Sequence, residues 1–518
     1  MFQRHRPASH VIARRSFMND PCSFVYIPET GEYLLCYQWS VSTQDSYGEC
    51  YGTCTSTDLV VWHDKPSAIQ RGHASYDSQA CFSGSILPRT EHGHTVLYLY
   101  YTSVSSMPIS WKLPYVPGCE TQSLAISRDF GKSWQRHAAN PLLKQPPAAH
   151  NTTGWRDPFV SEWPAMAKMR GKAAVTAYML LSSGTRDGGP CVRLYESSDL
   201  VNWADLGVLF SAQRNAPLTP PVPGLHYGEN FECVSFATIG NSLYLFCGVE
   251  ADSSQSTRHD GHFVFWHRGT IHSPECPTFV PIASGTLDHD ILYAVHTTKT
   301  EHDLIQLGWA DEDDNKHKLE QDWSGVLGLP RRLCELSVPK QRMIDSHAWT
   351  SHGDRMTTLG IDVYAASHLL RSTSKHYNGY QLHEIASARF ELDLVLSVAE
   401  LVFCFRMNDQ ECTRIIVDKA AITLDRSRSS KDNGNTLMRS GPFQLLQGES
   451  LHLRVFCDGS LVEVFANGRF CMTSRIYPSS SNALSMSLET PPGVDLSNVS
   501  VYADLKPAWP GRIASASL

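Results

Sequence analysis

The 518-residue chain has no uncharged apolar run approaching the ~18 residues a membrane-spanning helix needs. It opens Met1-Phe2-Gln3-Arg4-His5-Arg6-Pro7, with no apolar h-region and so no secretory-signal pattern. Basic excess is absent too: 44 Lys and Arg face 52 Asp and Glu, a formal net charge of −8 without long blocks of either sign. That argues against nucleic acid or an anionic membrane as partner, and a neutral or polar small molecule is expected instead. Among 15 cysteines there is no Cys-x-x-Cys pair, which removes zinc ribbons and thioredoxin-type chemistry. An odd count leaves at least one thiol unpaired and favours reduced thiols. A cytoplasmic location is therefore expected, or secretion if the sequence is a mature form. Two sequons, Asn151-Thr152-Thr153 and Asn498-Val499-Ser500, matter only on export.

Long amphipathic helical patterns are also missing. Instead, short runs rich in aromatic and β-branched residues, such as residues 94–102, 242–249 and 262–268, are cut by Gly, Pro, Asn and Asp. The chain is predicted to be all-β. A unit then recurs: a strand, Ser-x-Asp, and a tight turn closing on Trp. It appears at Ser56-Thr57-Asp58 with Trp62, at Ser127-Arg128-Asp129 with Trp134, and at Ser197-Ser198-Asp199 with Trp203. Ser and Asp side chains can hydrogen-bond the turn backbone while Trp covers the sheet edge. Repetition at about 70 residues in an all-β chain predicts propeller blades, and five of them fill roughly the first 340 residues. The texture changes after Leu336. From about residue 350, alternating strands such as 451–455 and 461–465, with Asp458-Gly459 between them, predict a C-terminal β-sandwich. The expected division is 1–340 for the propeller and 350–518 for the sandwich.

Three carboxylates have unusual neighbours. Asp20 and Asp157 each precede a proline, which stiffens them outside the helical region. Glu232, in Asn230-Phe231-Glu232-Cys233, sits among aromatics and a thiol. Such burial would raise its pKa towards use as a general acid. One Asp-Pro is ordinary turn chemistry; three acids on three blades point to a shared axial pocket.

With these residues in view, the chain resembles glycoside hydrolase family 32, the invertases, inulinases, levanases and fructosyltransferases. The resemblance is carried by Arg6-Pro7 and His10, Phe17-Met18-Asn19-Asp20-Pro21, Tyr37-Gln38, Phe82-Ser83-Gly84-Ser85, Arg156-Asp157-Pro158 and Glu232-Cys233. Asp288-His289-Asp290-Ile291-Leu292-Tyr293-Ala294 and residues 323–331 fit a last blade; Val462-Glu463-Val464-Phe465-Ala466-Asn467 and Thr473-Ser474-Arg475-Ile476-Tyr477-Pro478 fit the family's sandwich. The resemblance implies a five-bladed β-propeller followed by a β-sandwich and a retaining mechanism on β-fructofuranosides, needing no cofactor or metal. By position it makes Asp20 the nucleophile, Glu232 the general acid/base and Asp157 a transition-state stabiliser that holds fructose hydroxyls. Asn19, Gln38, Ser83 and Arg156 would hydrogen-bond sugar hydroxyls, while Trp39 and Phe82 would offer apolar faces. Arg156 is also expected to hold its neighbour Asp157 ionised. The implied substrates are sucrose and short fructo-oligosaccharides, with hydrolysis and fructosyl transfer sharing every step up to the covalent intermediate. The sandwich would stabilise the propeller or mediate a homodimer.

The sequence departs from the family pattern beside the nucleophile. Cys22-Ser23 replaces Asn-Gly, Phe17 replaces Trp, and Tyr51-Gly52 stands where many members have Trp-Gly. These changes spare every catalytic carboxylate and bear on acceptor preference. Two rivals are an inverting five-bladed arabinanase or xylosidase, which lacks such sandwich motifs, and a non-catalytic sugar-binding relative, which would have lost Asp20 or Glu232. His259-x-x-His262 with Asp260 and His267 lacks a recognisable metal-ligand pattern. Cys233 has no activating His pattern and is expected to pack behind the acid; Cys50-x3-Cys54 reads as buried thiols.

Overall fold

The computed structural model describes residues 5–41, 48–252, 261–300, 302–312, 321–342, 348–372, 375–432 and 437–515. His259 and Asp260 lie outside them. Five antiparallel sheets stand around an axis, each led by an innermost strand: Ser23–Ile27, Ala80–Glu91, Thr152–Glu162, Asn230–Ile239 and Leu292–Lys299. These five strands neighbour one another in turn, and the last lies against the first. The ring is latched where Ser16–Met18 pairs in parallel with Trp323–Ser324, Ser16 opposite Trp323, so chain ends far apart in sequence share one sheet. Strands such as His94–Val104 (HTVLYLYYTSV) are buried from Thr95 onwards, because neighbouring blades cover both faces; that explains their near-continuous apolar texture.

The Ser-x-Asp units are the turns that close the blades. Ser56 Oγ accepts from the Leu59 N–H at 2.8 Å, and Asp58 Oδ1 from the N–H groups of Val60 and Val61 at 2.9 and 2.8 Å. Ser197 and Asp199 repeat the pattern with Leu200, Val201 and Asn202. Leu59, Phe130 and Leu200 all take φ between 62° and 69°, a conformation these side chains adopt only where such local hydrogen bonds enforce it.

The fifth blade extends further than expected. Arg331–Pro339 pairs with Arg355–Val363, Arg331 opposite Val363, and Thr350–His352 joins the same sheet. Arg331–Pro339 falls within the expected propeller, whereas Thr350–His352 and Arg355–Val363 lie in the stretch assigned to the sandwich. The sandwich itself comprises a six-stranded sheet, from His376–Asn378 at one edge to Phe470–Arg475 at the other, facing a five-stranded one, with Phe390, Leu392, Phe403, Ile415, Val455 and Val464 buried between them. Its Asp458-Gly459 turn forms as the sequence suggests, Asp458 opposite Leu461 and Gly459 at φ 62°.

A buried ionic cluster joins the sandwich to blade five and the N-terminal segment. His10 Nδ1 lies 2.7 Å from Asp458 and Nε2 3.0 Å from Glu463. Arg331 reaches Asp288 at 2.8 Å and Thr473 Oγ1 at 2.6 Å, and Arg475 pairs with Glu312 at 2.8 Å.

Candidate active site

The first residues of the innermost strands converge at one mouth of the axis, and in four blades a β-bulge falls at the same place. Register shifts occur between Phe82 and Gly84, Arg156 and Phe159, Glu232 and Ser235, and Tyr293 and His296. Asp157, Cys233 and Ala294 carry positive φ of 59°, 48° and 47°. A bulge inserts an unpaired residue, bends the strand and re-aims side chains. Here it turns Ser83, Asp157, Glu232 and Tyr293 towards the axis. Gly84 is what lets the second blade do so: a Cβ there would lie 1.9 Å from the Tyr100 carbonyl oxygen.

Asp20, on the loop just before its strand, is held from four sides. Oδ1 accepts from Asn19 Nδ2 at 3.2 Å; Oδ2 accepts from Ser83 Oγ at 2.5 Å, Gln38 Nε2 at 3.3 Å and Cys233 Sγ at 3.5 Å. Burial pushes its pKa up, the Ser83 hydrogen bond opposes this, and the nearby Glu232 charge raises it again. Cys233 ties the three acids together, since its N–H donates to Asp157 Oδ2 at 3.0 Å and it follows Glu232 in the chain. This thiol is thus in the site rather than merely behind it.

Arg156 does not hold Asp157. Its guanidinium is taken up by three glutamates: Nη1 donates to Glu120 at 2.8 Å, Nη2 to Glu232 at 2.9 Å and to Glu250 at 2.8 Å, with Nε to Glu232 at 3.0 Å. Burial and then repulsion from Glu232 push Asp157 well above its ordinary value and outweigh the attraction of Arg156, which works the other way; the expectation that Arg156 keeps Asp157 ionised does not hold. The expectation for Glu232 is reversed as well. Burial works to raise it, but Arg156, His262 and the Tyr293 hydroxyl, which donates to Oε2 at 2.7 Å, outweigh burial and hold Glu232 below its ordinary value.

Asn19, Gln38, Ser83 and Arg156 are brought together with the acids. Among the described residues, Asn19 Oδ1 and Gln38 Oε1 are buried acceptors without a hydrogen-bond partner, the condition of a site built to receive donors. Phe82 is half-buried at the mouth, its carbonyl fixed by the Tyr51 hydroxyl at 2.6 Å. Trp39 goes elsewhere: alternation along its strand sends the ring away from Gln38, and its indole N–H donates to the Arg15 carbonyl at 2.9 Å.

Glu120 and Glu250 escaped the reading of sequence; Tyr293 was read only as part of a last-blade motif, and His262 only as a rejected metal ligand. Glu250 ends an otherwise mostly apolar strand, the kind of lone buried charge that flags a site, whereas Glu120 opens a strand with polar neighbours; both occupy strands other than the innermost. His262 packs its ring 4.8 Å from that of Tyr293. Donor atoms of Glu232, Glu250 and His262 lie within 4.8 Å of one another, and Arg156 supplies a positive charge to the two carboxylates. His267 stands apart, its ring hydrogen-bonded to Tyr227 and Ser284.

Paired carboxylates of unequal ionisation, facing unpartnered acceptors at a propeller's mouth, are the equipment of a glycoside-cleaving enzyme. Residues 10–344 match the family model described as the glycosyl hydrolases family 32 N-terminal domain, and residues 362–503 match that family's C-terminal domain. The chain belongs to glycosyl hydrolases family 32. It is 25% identical to an extracellular exo-inulinase of Aspergillus niger, over 92% of this chain and 90% of that protein. Its fold superposes on a β-fructofuranosidase from Aspergillus kawachii with a TM-score of 0.85 at 24% identity, covering 98% of this chain and 96% of the other. A fructosyltransferase from A. japonicus gives 0.83 at 23% identity, with the same coverage. Among the described residues no helix is long and apolar enough to cross a membrane.

Proposed function

We propose that the chain is a retaining β-fructofuranosidase that cleaves sucrose and short fructo-oligosaccharides through a covalent fructosyl–Asp20 ester. The observation that carries this is the convergence of Asp20, Asp157 and Glu232 through Cys233, in a member of a family whose similar proteins are named exo-inulinase and β-fructofuranosidase. Asp20 attacks the anomeric carbon as Glu232 protonates the leaving oxygen; Glu232 then deprotonates the water or sugar that breaks the ester. Asp157 is displaced upward and Glu232 downward from their ordinary values; sugar hydroxyls donating to Asp157 favour its ionised form, and Glu232 acts as the acid in its protonated form. Asn19 Oδ1 and Gln38 Oε1 accept further hydroxyls. Arg156, Glu250, His262 and Tyr293, gathered around Glu232, face the leaving group and are where a sugar acceptor competes with water.

Within this reading the propeller carries the chemistry and the sandwich clamps blade five, the division following Val363; a sandwich-mediated homodimer is a further part of it. The test is timed release of glucose and fructose from concentrated sucrose, with the anomer of first-released fructose read by NMR. Glucose release with β-fructofuranose retained is expected. Equal amounts of the two sugars mean hydrolysis; glucose in excess means transfer. Inverted product, or no cleavage of sucrose or fructo-oligosaccharides, overturns the proposal.

A further inference from the structure

Between blade four, blade five and the sandwich lies a second cavity of about 240 Å³. One wall is apolar, built by residues 222–225 of the segment that leads into Glu232; another is polar, built by Asp290, Arg439 and Ser440. Arg439 is only 8% exposed. Its Nε lies 2.9 Å from Asp290 Oδ1 as an ion pair, yet among the described residues neither Nε nor Nη2, both buried donors, has a hydrogen-bond partner. A guanidinium N–H left unpaired in a buried site costs stability unless a ligand takes it up.

Asp290 is itself fixed. Its Oδ2 accepts from Ser474 Oγ at 2.6 Å, which keeps the carboxylate from swinging across to take up Nη2. Because Asp290 matches the charge of Arg439, the cavity offers a donor beside an acceptor rather than a net positive charge. An anion would meet the Asp290 carboxylate. A neutral polyhydroxylated ring would present a hydroxyl to Nη2 and lay its C–H face on Val222 and Leu225. The volume lies below the ~300–1,000 Å³ typical of drug-sized ligands, which suits a single ring.

We propose that this cavity is a second sugar-binding site, distinct from the catalytic pocket, in which Arg439 Nη2 and Asp290 grip adjacent hydroxyls of one glycosyl unit. The choice of a sugar over another polyol rests on the proposed function. Asp290 stands three residues before Tyr293, and residues 222–225 run into the strand that carries Glu232. An occupied cavity would therefore brace both segments that set the acid.

The test uses crystals of the full chain carrying Asp20→Ala, which prevents turnover, soaked in sucrose. The expected result is a sugar ring in the catalytic pocket and a second within hydrogen-bonding distance of Arg439 Nη2. Arg439→Gln removes the donor, and Leu225→Trp bulks the apolar wall of the cavity while sparing Arg439. Each should abolish the second ring and leave the first. A filled catalytic pocket beside an empty cavity overturns this inference alone, as does inorganic phosphate occupying the cavity in preference to sugar when both are supplied. Two empty pockets, with no glucose released from sucrose by the unmodified protein, overturn the functional reading as well.

Discussion

His10 makes the stability of this protein depend on pH in a direction that can be worked out. Burial pulls its pKa down, but hydrogen bonds and charge from Asp458 and Glu463 outweigh burial and carry it from 6.5 to about 9. A raised folded-state pKa means the native protein binds the proton more tightly than the unfolded chain. The stabilisation is thus fully present below pH 6.5 and is lost as pH rises through 9. A displacement of that size corresponds to about 3 kcal/mol at ~1.4 kcal/mol per unit. Denaturant midpoints of the wild type and His10→Gln should be compared at about pH 6 and about pH 9.5. The wild type should lose about 3 kcal/mol more than the variant across that interval, because glutamine cannot titrate. Parallel losses in the two proteins would show that His10 is not held charged between its carboxylates, and the account of the interdomain cluster would fail.

Glu232→Gln should lower kcat on sucrose by roughly 10²–10⁴-fold with the fold intact by circular dichroism; a change below tenfold would remove Glu232 from proton transfer. Tyr293→Phe deletes the hydrogen bond that favours ionised Glu232, so the alkaline limb of kcat/KM should move to higher pH, and an unmoved limb would sever that link. Ser83→Ala takes the shortest donor from Asp20, a charge-assisted bond worth about 1.5–3 kcal/mol; kcat/KM should fall about 10- to 150-fold, and an unchanged value would mean that Gln38 and Cys233 suffice. Gly84→Ala drives a methyl group into the Tyr100 carbonyl and should destabilise by about 3 kcal/mol or more, read as a lowered melting temperature, whereas wild-type stability would show that the bulge can relax.

Much of the architecture was legible because its signals are local. A turn in which Ser and Asp bond their own backbone needs only a few residues, so Ser56-Thr57-Asp58 and its two relatives announced blades before any contact was known. The stiff Asp-Pro steps at Asp20 and Asp157 likewise marked positions where side chains are presented rather than packed. Trp39 was misplaced because adjacency to Gln38 in sequence is opposition in a strand, and the fifth blade outran its expected end because no Ser-x-Asp turn marks the strand Arg355–Val363 as part of a blade.

What the residues determined on their own is therefore the inventory: an all-β chain of repeated blades, a hairpin-rich C-terminal part, and three acids of the right kind. Ionisation was another matter. A pKa depends on every charge within a few ångströms regardless of sequence distance, and only the folded ring brings Glu120, Glu232 and Glu250 to one guanidinium. Arg156 stands beside Asp157 in sequence, yet its guanidinium bonds Glu232, 76 residues away in the chain. Only the tertiary structure sets the opposite directions in which Asp157 and Glu232 are displaced from their ordinary values.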